Sequence, residues 1–124
     1  MEDYVAARRR RFDYTHAIDR LLEPRGILLS PTVAVEGIPA DGRLPETNLV
    51  GAWPASAYNS ALASLTGHPA VSVPAGMCSI GIPFGLQLMA PRGSDRWLLR
   101  IASMWEQHRP WPRVAPGYAA FPSG

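Results

Sequence analysis

Read for apolar and polar positions alone, the chain changes its period several times. Between Asp3 and Glu23 the apolar residues Tyr14, Ala17, Ile18, Leu21 and Leu22 recur at three-and-four spacing. That predicts an amphipathic helix with Asp3 as its cap, ended by Pro24 and Gly26. Ile27-Leu28-Leu29, followed by Ser30-Pro31-Thr32-Val33, is a short unbroken apolar run, which predicts a strand covered on both faces. Pro31 cannot donate to a ladder, so the strand lies at an edge or has ended by that point. Ala34–Asn48 shows no periodicity and contains Pro39, Gly42 and Pro45, the pattern of a long loop. Trp53-Pro54 breaks whatever precedes it. Tyr58, Ala61, Leu62 and Leu65 then return to helical spacing, closed by Gly67 in a left-handed conformation and by Pro69.

From Ala70 the period becomes two. Val71, Val73 and Ala75 point one way, with Ser72 and Pro74 opposite; further on, Phe84, Leu86, Leu88 and Ala90 share a face against Gly85, Gln87 and Met89. The two runs are separated by a segment holding Gly76, Gly81 and Pro83, which predicts an antiparallel pair with a loose connection rather than a two-residue hairpin. Ser94 and Asp95 open a last helix whose stripe is Trp97, Leu98, Ile101, Ala102 and Trp105. His108 and Arg109 lie near its C-terminal end, and Pro110 and Pro112 stop it. Residues 113–124, rich in Pro, Gly and Ala, form an extended tail. The 124 residues make one α/β domain, with no internal repeat and no low-complexity block.

Composition narrows the chemistry. The net charge is +2, and all twelve basic residues are arginine. With no lysine anywhere, no residue of this chain can serve as a lysine base or Schiff-base former. One cysteine, Cys78, excludes an internal disulfide. No secretory signal opens the chain and no apolar run reaches the roughly 20 residues that span a bilayer, so a cytoplasmic protein without membrane contact is expected. Arg8–Arg11 is a conspicuous basic run, but four successive helical residues turn through about 300° and cannot form one basic face. A solvated helix surface explains the run better than nucleic-acid contact, because no aromatic interleaving accompanies it.

Gly67-His68-Pro69-Ala70-Val71-Ser72-Val73-Pro74-Ala75-Gly76, followed by Gly81-Ile82-Pro83-Phe84-Gly85-Leu86-Gln87-Leu88, resembles the last quarter of amidase signature enzymes, amide hydrolases that use a Ser-Ser-Lys triad. The likeness extends from about Arg8 to Trp111. It implies the C-terminal portion of that fold: three helices packed on a small mixed sheet with an antiparallel strand pair. It also implies that Leu28–Thr32 closes a strand and leads into a loop beside the active site. The segment ahead of Thr66-Gly67 would then help to line the pocket for the acyl part of the substrate, with Tyr58 and Asn59 in the wall and Trp53 behind them. Core packing of Tyr58 and a capping or solvated Asn59 is the plainer alternative. Many members carry Phe-Asn shortly before Thr-Gly where this chain has Ala63-Ser64, a difference that bears on local packing and pocket shape.

The residues that would carry catalysis are missing. The Gly-Gly-Ser-Ser core of the family is absent, as is a Gly-x-Ser-x-Gly elbow, and Ser72 has no base beside it in sequence. His16, His68 and His108 lie in three separate elements without metal-ligand spacing. Glu36, Asp41 and Glu46 are spread along the long loop, too far apart to predict a carboxylate pair. No catalytic residue, metal site or cofactor is therefore expected. The resemblance implies a C-terminal segment of an amide hydrolase, inactive alone, whose partner is the missing N-terminal catalytic part. Two alternatives stand beside it: a non-catalytic binding or assembly module derived from an amidase, and a segment of the A-type subunit of a transfer-RNA-dependent amidotransferase. Strand edges and faces left open by the missing part predict self-association, as a dimer, with no nucleic acid as partner.

Overall fold

The computed structural model describes residues 1–34, 49–50, 53–54, 58–112 and 114. Helix α1 (Glu2–Leu22) carries Glu2 and Asp3 in its first turn and Arg20 in its last, charges that suit the helix dipole. Asp3 lies inside the helix rather than at its cap, and Gly26 N–H closes the end by donating to Leu22 O at 2.7 Å. Strand β1 (Leu28–Pro31) follows. The long-loop residues 35–48, including Glu36, Asp41 and Glu46, lie outside the described residues. A two-residue ladder then joins β2 (Leu49–Val50) to β3 (Trp53–Pro54), where the sequence predicted only a break.

Helix α2 (Tyr58–Thr66) ends as its glycine predicts. Gly67 has φ +75° and its N–H bonds to Ala63 O at 2.8 Å. Strands β4 (Ala70–Met77) and β5 (Pro83–Met89) form the expected antiparallel pair, joined by a turn in which Gly81 takes φ +78°. The sheet order is β1-β5-β4, so β5 is central and β1 is an edge strand ending on its proline. Both pairings are antiparallel, so the described sheet is antiparallel throughout rather than mixed. Ala75 is the extra residue of a bulge, since Pro74 opposes Gly85 and Gly76 opposes Phe84. Pro74, having no N–H, sits on the other edge strand.

The helices divide between the two faces of the sheet. Helix α3 (Asp95–His108) lays Leu98 and Ala102 on Val73, Leu88 and Ala90, with Val71, Leu86, Trp97, Ile101 and Trp105 around them. This is the stripe that the sequence predicts. Trp105 Nε1–H also donates to Pro74 O at 2.8 Å, which ties α3 to the strand at the bulge. On the opposite face Leu22, Ala63 and Met89 form a second cluster with Ile18, Leu28 and Leu62. Each fully buried aliphatic side chain contributes about 1.5–3 kcal/mol. The expected α/β arrangement of three helices on a small sheet is present, with helices on both faces of the sheet.

Two stripes differ in phase from their prediction. In α1 the buried residues are Thr15 and Leu22, with Ile18 packed in the same cluster as Leu22, whereas Tyr14 and Leu21 are 55% and 62% exposed. In α2 Leu62, Ala63 and Thr66 face inward, while Tyr58 and Leu65 stay partly exposed. Strand β1 is also not covered twice: Leu28 packs inward, but Leu29 is exposed because α3 lies over β4 and β5 rather than β1.

Candidate functional site

Tyr58 and Asn59 are neighbours in the first turn of α2, and the helix points them to different surroundings. Asn59 turns to the sheet. Its Nδ2 donates to Pro31 O at 2.7 Å, and its own carbonyl accepts from Gln87 Nε2 at 2.8 Å. Gln87 is buried because alternation in the central strand sends it to the α2 side, between Leu86 and Leu88 on the other. Asn59 thus fastens the end of β1, where the long loop leaves, to β5. It neither caps its helix nor stands free in solvent.

Beside that link, Thr32 N–H bonds to Gly85 O at 2.8 Å, and the Thr32 and Ser72 hydroxyls meet at 2.5 Å. Gly85 lies directly under this pair: a Cβ there would stand 2.6 Å from Ser72 Oγ and 2.7 Å from Thr32 Oγ1. The patch is a set of neutral donors and acceptors at the mouth of the loop. Among the described residues the Ser72 hydroxyl bonds to another hydroxyl rather than to a base. Sequence reasoning passed over Thr32 and Gln87. The available signal for Gln87 was one amide in an otherwise apolar strand.

Tyr58 faces the other way, into an open concavity of about 780 Å³ between α1 and α2. Tyr14, Ala61, Leu62 and Leu65 line it, with Ser60 and Ser64 at its edge. The out-of-phase apolar positions of the two helices therefore converge. The backbone of Trp53 belongs to β3, directly ahead of α2, and its side chain lies outside the described residues. The structure thus brings Tyr58 to the concavity and separates Asn59 from it.

A charged cluster pins this helical layer to the start of α3. Arg92 grips Asp19 with two hydrogen bonds, Nε to Oδ1 at 3.0 Å and Nη2 to Oδ2 at 2.7 Å. His68 is buried in the turn after Gly67, with Nδ1 2.9 Å from the Thr66 hydroxyl. Its Nε2 lies 3.2 Å from Asp19 Oδ1, although the approach is not in good hydrogen-bond geometry. His16 Nδ1 is 3.9 Å from the same carboxylate. Desolvation works to raise the Asp19 pKa, but the hydrogen bonds and charge of Arg92, with His68, outweigh it and hold the carboxyl below its ordinary value of 3.8. From the arginine run, Arg11 Nε donates to Leu65 O at 2.7 Å at the C-terminal end of α2. Among the described residues no three His, Cys, Asp or Glu side chains are grouped to hold a metal ion, and no helix is long and apolar enough to cross a membrane.

Comparison with known proteins gives this arrangement a setting. The family model described as Amidase matches residues 1–99. The AmiC protein of Mycobacterium tuberculosis is 35% identical over 100 residues, covering 75% of this chain and 20% of its own length. The A-type subunit of the mitochondrial glutamyl-tRNA(Gln) amidotransferase of Mus musculus is 32% identical over 88 residues, covering 71% of this chain and 17% of its own. Among solved structures, 6-aminohexanoate cyclic dimer hydrolase superposes with a TM-score of 0.69 at 28% identity, over 87% of this chain and 24% of that one. A bacterial aryl acylamidase of the amidase signature family shares the fold at a TM-score of 0.67. The chain spans about a fifth of the length of the curated relatives it matches. From the strand pair, the helices on either side of it and these likenesses together, the chain belongs to the amidase signature family.

Proposed function

We propose that the chain is the C-terminal segment of a carbon-nitrogen amide hydrolase, supplying core strands and part of the substrate pocket wall while the catalytic serines and lysine come from the rest of the enzyme. The observation that carries this reading is membership of an amidase family by a chain that spans about a fifth of its relatives and contains no lysine. A lysine acting through one serine on another is the activation such a nucleophile needs, and Ser72, held by Thr32, is no substitute. Tyr58 would stand in the pocket wall, with Trp53 behind it in the preceding strand. Asn59 acts as a positioning residue, through Pro31 O and Gln87.

The purified chain is expected to show no hydrolysis of acetamide, benzamide or a p-nitroanilide above background. Turnover that is lost on Ser72→Ala would overturn the proposal. The missing catalytic part is the natural partner for the apolar concavity between α1 and α2, and in its absence the chain is expected to pair with itself as a dimer. Light scattering at micromolar concentration checks this; a monomer that binds no hydrophobic dye would refute it. The proposed setting is the cytoplasm. A second reading, as a segment of an amidotransferase A-type subunit, is favoured by the likeness to the mouse mitochondrial protein, which covers almost as much of this chain as AmiC does. Restoration of glutamine-dependent transamidation, rather than simple amide hydrolysis, on addition of a catalytic part would select it.

A further inference from the structure

The first part of α1 lies open. None of residues 1–14 is buried, and Thr15 is the first position that the rest of the fold encloses. Arg11 Nε bonds to Leu65 O, but the apolar residues Met1, Tyr4, Val5 and Phe12 remain exposed. Leu22, Asp19 and Thr15, which the fold engages, mark a seam that recurs at alternating steps of three and four. The same steps continue through Phe12, Arg8 and Val5 to Met1. The Arg8 guanidinium is drawn over the Tyr4 ring, 6.0 Å from its centroid, so its methylene stem stays on the seam. A seam that is filled in one half of a helix and open in the other marks a contact surface.

The charges beside this seam identify what covers it. Glu2 and Arg9 stand seven residues apart on one flank, and with Met1, Val5 and Ala6 they line one shallow hollow. Among the described residues neither has an ion-pair partner. When two identical helices pair antiparallel, each flank meets the same flank of the other, read in the opposite direction. Glu2 then lies against Arg9 of a second copy, and Arg9 against its Glu2, with Val5 near the dyad and Met1 and Phe12 toward the ends. In a parallel pair this flank would meet the one that carries Tyr4 and Arg11, which offers no acid. The sheet edges suit a second copy less well. Pro31 on β1 and Pro74 on β4 have no N–H, and their carbonyls accept from Asn59 Nδ2 and Trp105 Nε1.

We infer that the first half of α1 is a dimerisation arm. It pairs antiparallel with the same segment of a second copy through Met1, Val5 and Phe12 and two reciprocal Glu2–Arg9 ion pairs. The interface is isologous and small, so the dimer is a weak one. The inference rests on α1 and not on the amide-hydrolase reading, whose own test is hydrolysis.

The test is sedimentation velocity of the chain from micromolar to near-millimolar concentration, with circular dichroism to check that each variant is folded. The parent is expected to dimerise, and to do so less at high salt. Glu2→Arg and Arg9→Glu each replace two attractions by two repulsions and should weaken dimerisation by about tenfold or more. Both positions are exposed, so the fold should survive either change. An equimolar mixture of the two variants should dimerise like the parent. The introduced arginine of one then meets the introduced glutamate of the other, and the native Arg9 meets the native Glu2. A parent that stays monomeric throughout, single variants that dimerise as the parent does, or a mixture that recovers nothing would each overturn the arm. A dimer that ignores both charge reversals and is lost on Leu65→Asp would move the interface to the concavity between α1 and α2 and overturn it as well. A monomeric parent that cosediments with phosphatidylserine vesicles would assign the arm to an anionic membrane surface instead.

Discussion

Replacing Gly85 with alanine tests whether the polar patch at the end of β1 is as closely built as its distances imply. The backbone there is not left-handed, so alanine is allowed in principle, and the stiffer unfolded chain would favour the variant by about 0.4–1 kcal/mol. The side chain is the obstacle. Its Cβ would lie 2.6 Å from Ser72 Oγ and 2.7 Å from Thr32 Oγ1, both well inside van der Waals contact. To make room, one hydroxyl must rotate and give up the bond between them, a loss of about 0.5–1.5 kcal/mol. Displacing the strand instead costs about 1–3 kcal/mol, as overpacking generally does. The net expectation is a destabilisation of about 1–3 kcal/mol in urea denaturation at an unchanged slope. In a Thr32→Ala, Ser72→Ala background both obstructing oxygens are gone, and the same substitution should cost less than about 0.5 kcal/mol. An equal cost in the two backgrounds would refute the steric account and leave Gly85 to be explained by its backbone.

Leu98, 2% exposed among Val73, Leu88 and Ala90, should cost about 2–5 kcal/mol on mutation to alanine. Leu99→Ala, one position on and 61% exposed, should be close to neutral in the same denaturant titration. Trp105→Phe keeps the ring but removes the donor to Pro74 O, and a loss of about 1–3 kcal/mol in the unfolding midpoint is expected because that carbonyl is left unpaired beside the bulge. Asp19 has a folded pKa below its ordinary 3.8, so its contribution is present above that pH and is lost as pH falls through the folded value. Asp19→Asn should therefore be less stable than the parent at pH 7, with the gap closing as pH is lowered below 4; a constant gap across that range would contradict the ion-pair account.

How far the chain could be read depended on whether a residue's neighbours were close in sequence. Val71 and Val73 against Ser72, and Leu86 and Leu88 against Gln87, announce two strands through their own alternation, and Gly67 and Pro69 mark the turn before them. The stripe on α3 was legible because that helix packs on one continuous apolar surface. In α1 and α2 the apolar arc is wider than the face that meets the sheet, so periodicity identified the arc and misplaced its centre. Thr15 and Asp19 occupy positions that a hydrophobic pattern assigns to solvent, because their partners are a helix carbonyl and, far along the chain, His68 and Arg92. The link from Pro31 through Asn59 to Gln87 was equally hidden, since it joins three elements that local spacing cannot relate.

The central place of β5 has a consequence for how the polypeptide is made. Leu28 is paired with Met89, and Ala70 with that same residue from the other side, so within the described sheet neither β1 nor β4 has its partner strand until the chain has been synthesised through Met89. During synthesis α1 and β1 emerge before β5 and wait, with Leu22 and Leu28 uncovered, for a strand still to be translated. Such non-local pairing is slow, and the waiting segments are open to the wrong neighbours. A nascent chain stalled before Pro83 should remain protease-sensitive and bound by chaperones, and protection should appear in a single step once β5 has cleared the exit tunnel.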